Sequence, residues 1–448
     1  DGMSLSVVLK ADGTIDKRVI GSVTEYLVVD DEYKKDRKRA NEIFENPSLQ
    51  MVSFTITEKG YLVTREKGEM LSSVKEGFQS GPDGFQGHLM GRIAAFCYRR
   101  YLVGQYPLAL VSMDNCSHNG DILKESVLAF VREWCGRGLA ESGFLDYMQN
   151  PDSISFPWSM IDKITPRPDE KVVEMLKQDG FEDTDIIITD KNTYTAPFVN
   201  SEETGYLVIE DSFPNGRPPL EKAGLYFTDR ETVDKAERMK VCTCLNPLHT
   251  ALAVFGCLLG YKRIYEEMRD KDLSSFVRKM CYEEGMPVVV DPGIINPREF
   301  AQAVLTDRLP NPFMPDTPQR IATDTSQKIP IRFGETIKSY QNHPNLNVRE
   351  LNRIPLVLAG WCRYLMGVDD QGNVLEQSPD PMLKSLTAHF DGIHLGENWD
   401  AHEVLKDILS NKQIFAVNLY EAGLGEKIEG MFWEMTRGVG AVRETLSR

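Results

Sequence analysis

Partway along this chain the spacing of its apolar residues changes, and that change limits what it can fold into. Before about Val233, short β-rich runs recur: RVIGSVTEYLVV (18–29), LQMVSFTIT (49–57), YPLALVSM (106–113), TDIIIT (184–189) and GYLVIED (205–211). Between them lie GHLMGRIAAFCYRRYLV (87–103) and DILKESVLAFVREWC (121–135), whose apolar positions follow the 3.6-residue period of a helix. Strands alternating with helices predict an α/β domain with a largely parallel sheet. After Val233 only helical spacing remains, in FVRKMCYEEG (276–285), REFAQAVLTDRL (298–309), LNRIPLVLAGWCRYLM (351–366) and HEVLKDIL (402–409). The expected division is an α/β domain over 1–235 and an all-α domain over 236–448.

Composition narrows the partners. A chain of 448 residues with 41% hydrophobic content has enough apolar side chains for two or three cores. Its net charge of −16 repels phosphate backbones and anionic lipid, which disfavours nucleic acid and membrane surfaces and leaves a small molecule as the expected partner. The longest apolar run, near Thr250 to Tyr261, is shorter than the ~20 residues of a membrane span. No secretory pattern opens the sequence. The eight cysteines include one close pair, Cys242 and Cys244, without a second pair at zinc spacing. Buried thiols in a reducing cytoplasm, with no metal, are the expectation, for a monomer or small homo-oligomer.

The stretch ERMKVCTCLNPLHTALAVFGCLLGYK (237–262) sets Glu237, Lys240, Asn246 and His249 at the head of an apolar run. Polar side chains buried there need partners, so the group forms either a structural network or a reaction site. Each member has an ordinary reading: Asn246 before Pro247 as a helix cap, His249 as a packed helix histidine, Glu237 and Lys240 as a surface pair. Asn115 alone reads as a turn residue at a strand end. A hydrolase built on Ser117 and His118 is disfavoured, because neighbouring side chains point apart and no orienting acid is evident.

Several segments together resemble one family. VSFTITEKGY (52–61), SMDNCSHNGD (112–121), FPWSMIDKITP (156–166), VIEDSFPNGRPPLEKAG (208–224) and RIATDTSQKIP (320–330) are similar, in order, to segments of the polyol-specific long-chain dehydrogenases. That family includes mannitol 2-dehydrogenase and the fructuronate and tagaturonate reductases. The resemblance covers nearly the whole chain and implies a Rossmann-type nucleotide-binding domain followed by a helical substrate domain. It also implies an NAD(P)-dependent oxidoreductase that interconverts a secondary alcohol and a ketone of an open-chain sugar without a metal.

Such a reaction needs a base for the hydroxyl proton and neutral donors for the developing oxyanion. By resemblance, Lys240 is the base, Asn115 and Asn246 supply donors, His249 holds a neighbouring hydroxyl and Glu237 relays the proton. Asp162, Arg320 and Lys328 are implied to bind substrate, and Thr57, Glu58 and Asn115 to line the nicotinamide. NAD is the expected cofactor, with NADP also open. GYLVIEDSFPNGRPPLE reads closest to the fructuronate-reducing branch, so D-mannonate and D-fructuronate lead. Mannitol and other polyols or altronate follow, and a catalytically incomplete binding protein of the same fold is the rival from another class.

Two features depart from the family pattern. Five residues separate Lys240 from Asn246 where the family has four, and one added residue rotates a helix face by about 100°. A π-type turn or a break between Val241 and Asn246 is therefore expected, with Asn246 capping a helix that starts at Pro247. The opening DGMSLSVVLKADGTIDKR lacks the glycine-rich phosphate turn and resembles a segment inside the nucleotide-binding domain. The first βαβ unit, with the acidic residue that reads the ribose, is expected to be missing. GLGEKIEG and GVGAV near the C-terminus follow no strand and do not replace it.

Overall fold

The computed structural model describes residues 3–30, 32–65, 68–84, 86–190, 193–314 and 316–448. Asp1 and Gly2 of the opening segment lie outside them. The chain separates into two compact units, each discontinuous in sequence. One comprises Asp1–Ser6, Arg18–Ile164 and Thr204–Glu237, and the other Val7–Lys17, Thr165–Glu203 and Arg238–Arg448.

The first unit is organised around strand Leu108–Ser112, every residue of which is buried. It pairs in parallel with Met51–Phe54 on one side and Ile154–Ser155 on the other. An unbroken apolar run suits a strand covered on both faces. Helices Leu89–Gly104 and Asn119–Gly136 supply cover through Ile93, Phe96, Val127, Phe130 and Trp134. Arg100, fully buried, donates to the carbonyls of Phe44, Asn46, Leu49, Tyr106 and Pro107, so one guanidinium satisfies loop backbone that water cannot reach.

A second three-stranded sheet of this unit is mixed, where a largely parallel one was expected. Tyr206–Glu210 runs parallel to Tyr226–Thr228 but antiparallel to Ser159–Asp162. The segment 18–29 is also not one strand: Ile15–Ile20 is extended and paired, while 21–29 carries no strand and exposes Tyr26 and Val28. A β-branched composition does not by itself make a strand, because strand preference reflects packing against neighbours. Ile15–Ile20 instead neighbours Ser4–Leu9 across a tight turn in which Gly13 takes φ +86 and the Asp12 carboxylate accepts from Thr14 N–H. Phe198–Glu202 flanks Ser4–Leu9 on its other side.

In the second unit helix Asn246–Leu259 is the centre, with every residue from Thr250 to Leu258 buried. Helix Arg353–Leu365 packs on it where Gly360 meets Phe255; a Cβ on Gly360 would lie 2.8 Å from the Phe255 ring. Among the described residues beyond 233 the only β-pairing is the isolated bridge Val368–Val374. Among the described residues four wide, π-type turns interrupt the helices, at Lys240–Cys244, Met280–Gly285, Val304–Arg308 and Pro330–Gly334. The last begins at a proline, which has no N–H to donate and crowds the preceding turn. Arg308 and Glu202, each 2% exposed, form a two-pronged ion pair at 2.8 and 3.0 Å. The helical run Arg230–Leu259 is long and apolar enough to cross a membrane by composition, but 78% of its apolar window is buried inside the protein.

Candidate active site

In the first unit the candidate residues gather at the carboxyl ends of two neighbouring parallel strands. Asp114, just past Ser112, is buried, and its carboxylate accepts the N–H groups of Ile56 (2.9 Å) and Thr57 (2.8 Å) and the hydroxyl of Tyr61 (2.6 Å). That fixes the loop after Met51–Phe54 and holds Thr57 at φ +62, a conformation seldom adopted outside glycine. Asn119 pins the same corner, donating to the carbonyls of Ser112, Asp114 and Ser159 and accepting from Ser159 N–H. With Asp114 and Asn119 serving as anchors, Thr57, Glu58 and Asn115 are left exposed. Amide and hydroxyl groups exposed at the carboxyl ends of adjacent parallel strands fit a nicotinamide and its carboxamide.

Asp162 stands elsewhere in this unit, buried at the end of strand Ser159–Asp162 in the second sheet. Burial, with the carboxylates of Glu58, Asp114 and Glu237 adding to it, pushes the Cys116 thiol up to about 12, so it is no thiolate nucleophile. An acid does stand beside His118, contrary to expectation: Asp234 Oδ1 lies 3.1 Å from its Nε2. The imidazole stacks on Trp158 at 4.1 Å, and Arg230 lies over the same indole, so this pair is built into a stack and Ser117 remains exposed.

Glu237 lies half-buried in the last turn of helix Arg230–Met239. The wide turn Lys240–Cys244 follows directly, closed by Leu245 N–H donating to Lys240 C=O at 3.1 Å. A π-type turn takes up one residue, so the six-residue step from Lys240 to Asn246 rotates about as far as five residues of α-helix. The extra residue is thereby absorbed. Thr336 donates to the Cys242 carbonyl at 3.1 Å, partnering an acceptor within the wide turn. Lys240 is 1% exposed, and Asn246 and His249 are half-buried.

The expected cap is displaced. Asn246 is the first residue of the next helix, Leu245 occupies the cap position with φ −131 and ψ −62, and no side chain caps that end. The π-turn carries the chain one residue further round before the helix resumes. Pro247 sits in the first turn as expected.

Around His249 the second unit adds residues that sequence reasoning missed. Its Nε2 lies 3.1 Å from Asp316 Oδ2, an ion-pair distance, although the approach is not aligned as a hydrogen bond. Asp316 also holds Arg320 at 2.7 Å. Burial alone would raise the Asp316 carboxyl, but His249 and Arg320 outweigh it and leave it below the ordinary value. Acid and base four residues apart, in DTPQR (316–320), are the signal by which the pair was findable. Lys328 donates to the carbonyls of Ile321 and Thr323 on the neighbouring turn. Behind Asp316 lies Glu267, fully buried, with no hydrogen bond to either carboxyl oxygen. It fits only because position 256 is glycine, where a Cβ would fall 2.1 Å from Glu267 Oε1.

Comparison with known proteins identifies the family. Residues 2–222 match the family model of the mannitol dehydrogenase Rossmann domain, and residues 232–435 match that of the mannitol dehydrogenase C-terminal domain. The chain belongs to the mannitol dehydrogenase family. It is 55% identical over 448 residues to D-mannonate oxidoreductase of Thermotoga maritima, covering 100% of this chain and 82% of that protein. Mannitol 2-dehydrogenase of Pyrenophora tritici-repentis is 31% identical over 396 residues, 87% of this chain and 64% of the relative. Mannitol 2-dehydrogenase of Pseudomonas fluorescens, solved as a ternary complex with NAD and D-mannitol, superposes with TM-score 0.69 at 25% identity over 99% of this chain and 82% of that one. A substrate-free D-sorbitol dehydrogenase superposes at TM-score 0.77 with 22% identity, covering 98% and 83% of the two chains, and shares the fold.

Proposed function

We propose that this member of the mannitol dehydrogenase family is an NAD-dependent oxidoreductase that interconverts D-mannonate and D-fructuronate. The observation that carries the reading is the 55% identity to a D-mannonate oxidoreductase along the entire chain, against 31% to a mannitol 2-dehydrogenase. The reaction joins a secondary alcohol and a ketone on an open-chain sugar acid. We assign the nucleotide-binding role to residues 1–235 and the substrate role to 236–448, and place the enzyme in the cytoplasm.

When bound, NADH would supply the hydride for the ketone carbon, and NAD would accept it in the reverse direction. Lys240 gives the proton to the carbonyl oxygen in reduction and takes it from the hydroxyl in oxidation, with Glu237 passing it on toward solvent. Asn246 and Asn115 donate N–H groups to the oxygen as charge gathers on it. His249 orients a neighbouring hydroxyl. Asp162, Arg320 and Lys328 bind the rest of the sugar, and Thr57, Glu58 and Asn115 line the nicotinamide. The enclosure of Lys240, the absorption of the extra residue by a wide turn and the exposure of Asn115 beside an anchored loop support these roles.

A panel of D-fructuronate, D-tagaturonate, D-fructose, D-mannonate, D-altronate and D-mannitol, assayed with NAD(H) and NADP(H), tests the reading. Turnover of D-fructuronate and D-mannonate with NAD(H), well above any neutral polyol, is expected. Preference for D-mannitol or D-fructose would reassign the substrate, and no turnover of any of them would favour a binding protein.

A further inference from the structure

We propose that Arg332, with Lys328 beside it, forms the subsite that grips the carboxylate of the substrate and sets this enzyme's preference for a sugar acid over a neutral polyol. The inference rests on the reading above and deepens it.

Arg332 lies in the wide turn Pro330–Gly334, which continues the helix Thr325–Ile329 that carries Lys328. Four residues apart on one helical run, the two side chains leave from the same face. Arg332 Nη1 donates to Thr250 Oγ1 at 2.6 Å, and that hydroxyl in turn donates to the Asn246 carbonyl at 2.9 Å. The guanidinium is therefore tethered to the first turn of the helix that bears Asn246 and His249. It is within reach of a substrate held by them.

The charges around it are unusual. Among the described residues no carboxylate lies within ion-pair distance of Arg332 or Lys328, whereas Arg320 nearby is already paired with Asp316 at 2.7 Å. Lys328 spends two of its three N–H groups on carbonyls, and Arg332 spends one of its five on a hydroxyl. Burial, reinforced by the charge of Arg332, lowers the Lys328 amine to about 8, and burial lowers Arg332 to about 10. Two half-buried cations side by side oppose one another and lose hydration, and the carboxylates of Asp324 and Asp380 that pull on the Lys328 amine stand beyond ion-pair distance. An arriving carboxylate relieves both costs and meets a planar fork suited to two-pronged binding. A peg needed only to hold Thr250 would not require a charge.

The test is steady-state reduction of D-fructuronate and D-fructose by wild type, Arg332→Gln and Arg332→Lys, with Tm measured for each. Arg332→Gln is expected to raise KM for D-fructuronate by about tenfold or more while KM for D-fructose moves less than about twofold, and Arg332→Lys is expected to recover part of the loss. Equal loss on both substrates with a lowered Tm would make Arg332 a structural peg and overturn the inference. An unchanged KM for D-fructuronate, in an enzyme that turns it over, would overturn the inference alone. A wild-type protein inert toward D-fructuronate would overturn the proposed function and this subsite together.

Discussion

His249 Nε2 lies 3.1 Å from Asp316 Oδ2, and the other oxygen of that carboxylate holds Arg320. At that distance the carboxylate attracts the edge of the imidazole and restrains its orientation. Asp316 is thus a positioning residue for two groups at once. Asp316→Asn is expected to lower kcat/KM about 10- to 100-fold on acid and neutral substrates alike, the scale of the charged hydrogen bond it makes with Arg320. A variant whose kcat/KM matches wild type on both substrates would remove Asp316 from the site.

Lys240→Ala tests the base. General acid–base groups contribute about 10²- to 10⁴-fold, and kcat is expected to fall by that amount while NADH binding, read by fluorescence titration, stays near wild type. Near-normal turnover would transfer the role to another residue.

Glu267 predicts an unusual stability profile. Its complete burial, followed by the nearby carboxylates of Asp316, Glu266 and Asp270, raises its carboxyl well above the ordinary value, so the folded protein keeps a proton that the unfolded chain releases above about pH 4.3. The folded state binds more protons, and this group's contribution to stability therefore declines as pH rises from there toward the folded value. Glu267→Gln cannot ionise, so its Tm relative to wild type should improve as pH rises from the ordinary carboxylate range toward the folded value. A Tm difference that is flat with pH would contradict a protonated Glu267.

Lys328 predicts a pH effect on substrate choice. Burial foremost, then the charges of Arg332 and Arg320, hold its amine at about 8 against the opposing pull of Asp324 and Asp380. The amine is charged below that value and neutral above it, so KM for D-fructuronate should climb as pH passes 8, by roughly tenfold at the limit, while KM for D-fructose stays level. Lys328→Arg, which stays charged, should flatten the climb. Parallel pH profiles for the two substrates in wild type would refute it.

Much of this was legible because it is written in local periodicity. The runs around Met51–Phe54 and Leu108–Ser112 and the helices Leu89–Gly104, Asn119–Gly136 and Arg353–Leu365 fall where the spacing of apolar residues puts them. The wide turn at Lys240–Cys244 was legible too, since one surplus residue had to be taken up somewhere. What escaped depends on partners distant in sequence. Nothing local in 21–29 says that it stays out of a sheet, nor does DNC (114–116) say that Asp114 turns inward to two backbone amides while Asn115 faces out. Asp316 and Arg332 acquire meaning only through His249 and Thr250, more than sixty positions earlier.

The interleaving of the two units bears on how the protein can be taken apart. Strand Phe198–Glu202 comes from the α/β half of the sequence, yet it belongs to the compact unit of the helices and brings Glu202 to Arg308. A gene cut at 235/236 would therefore make a C-terminal fragment with a guanidinium stranded in its interior, and an N-terminal fragment whose strand Phe198–Glu202 keeps its neighbour Ser4–Leu9 but loses the partner of Glu202. Neither piece should accumulate in soluble form when expressed alone. Co-expressed, the two would have to find each other before either could finish folding.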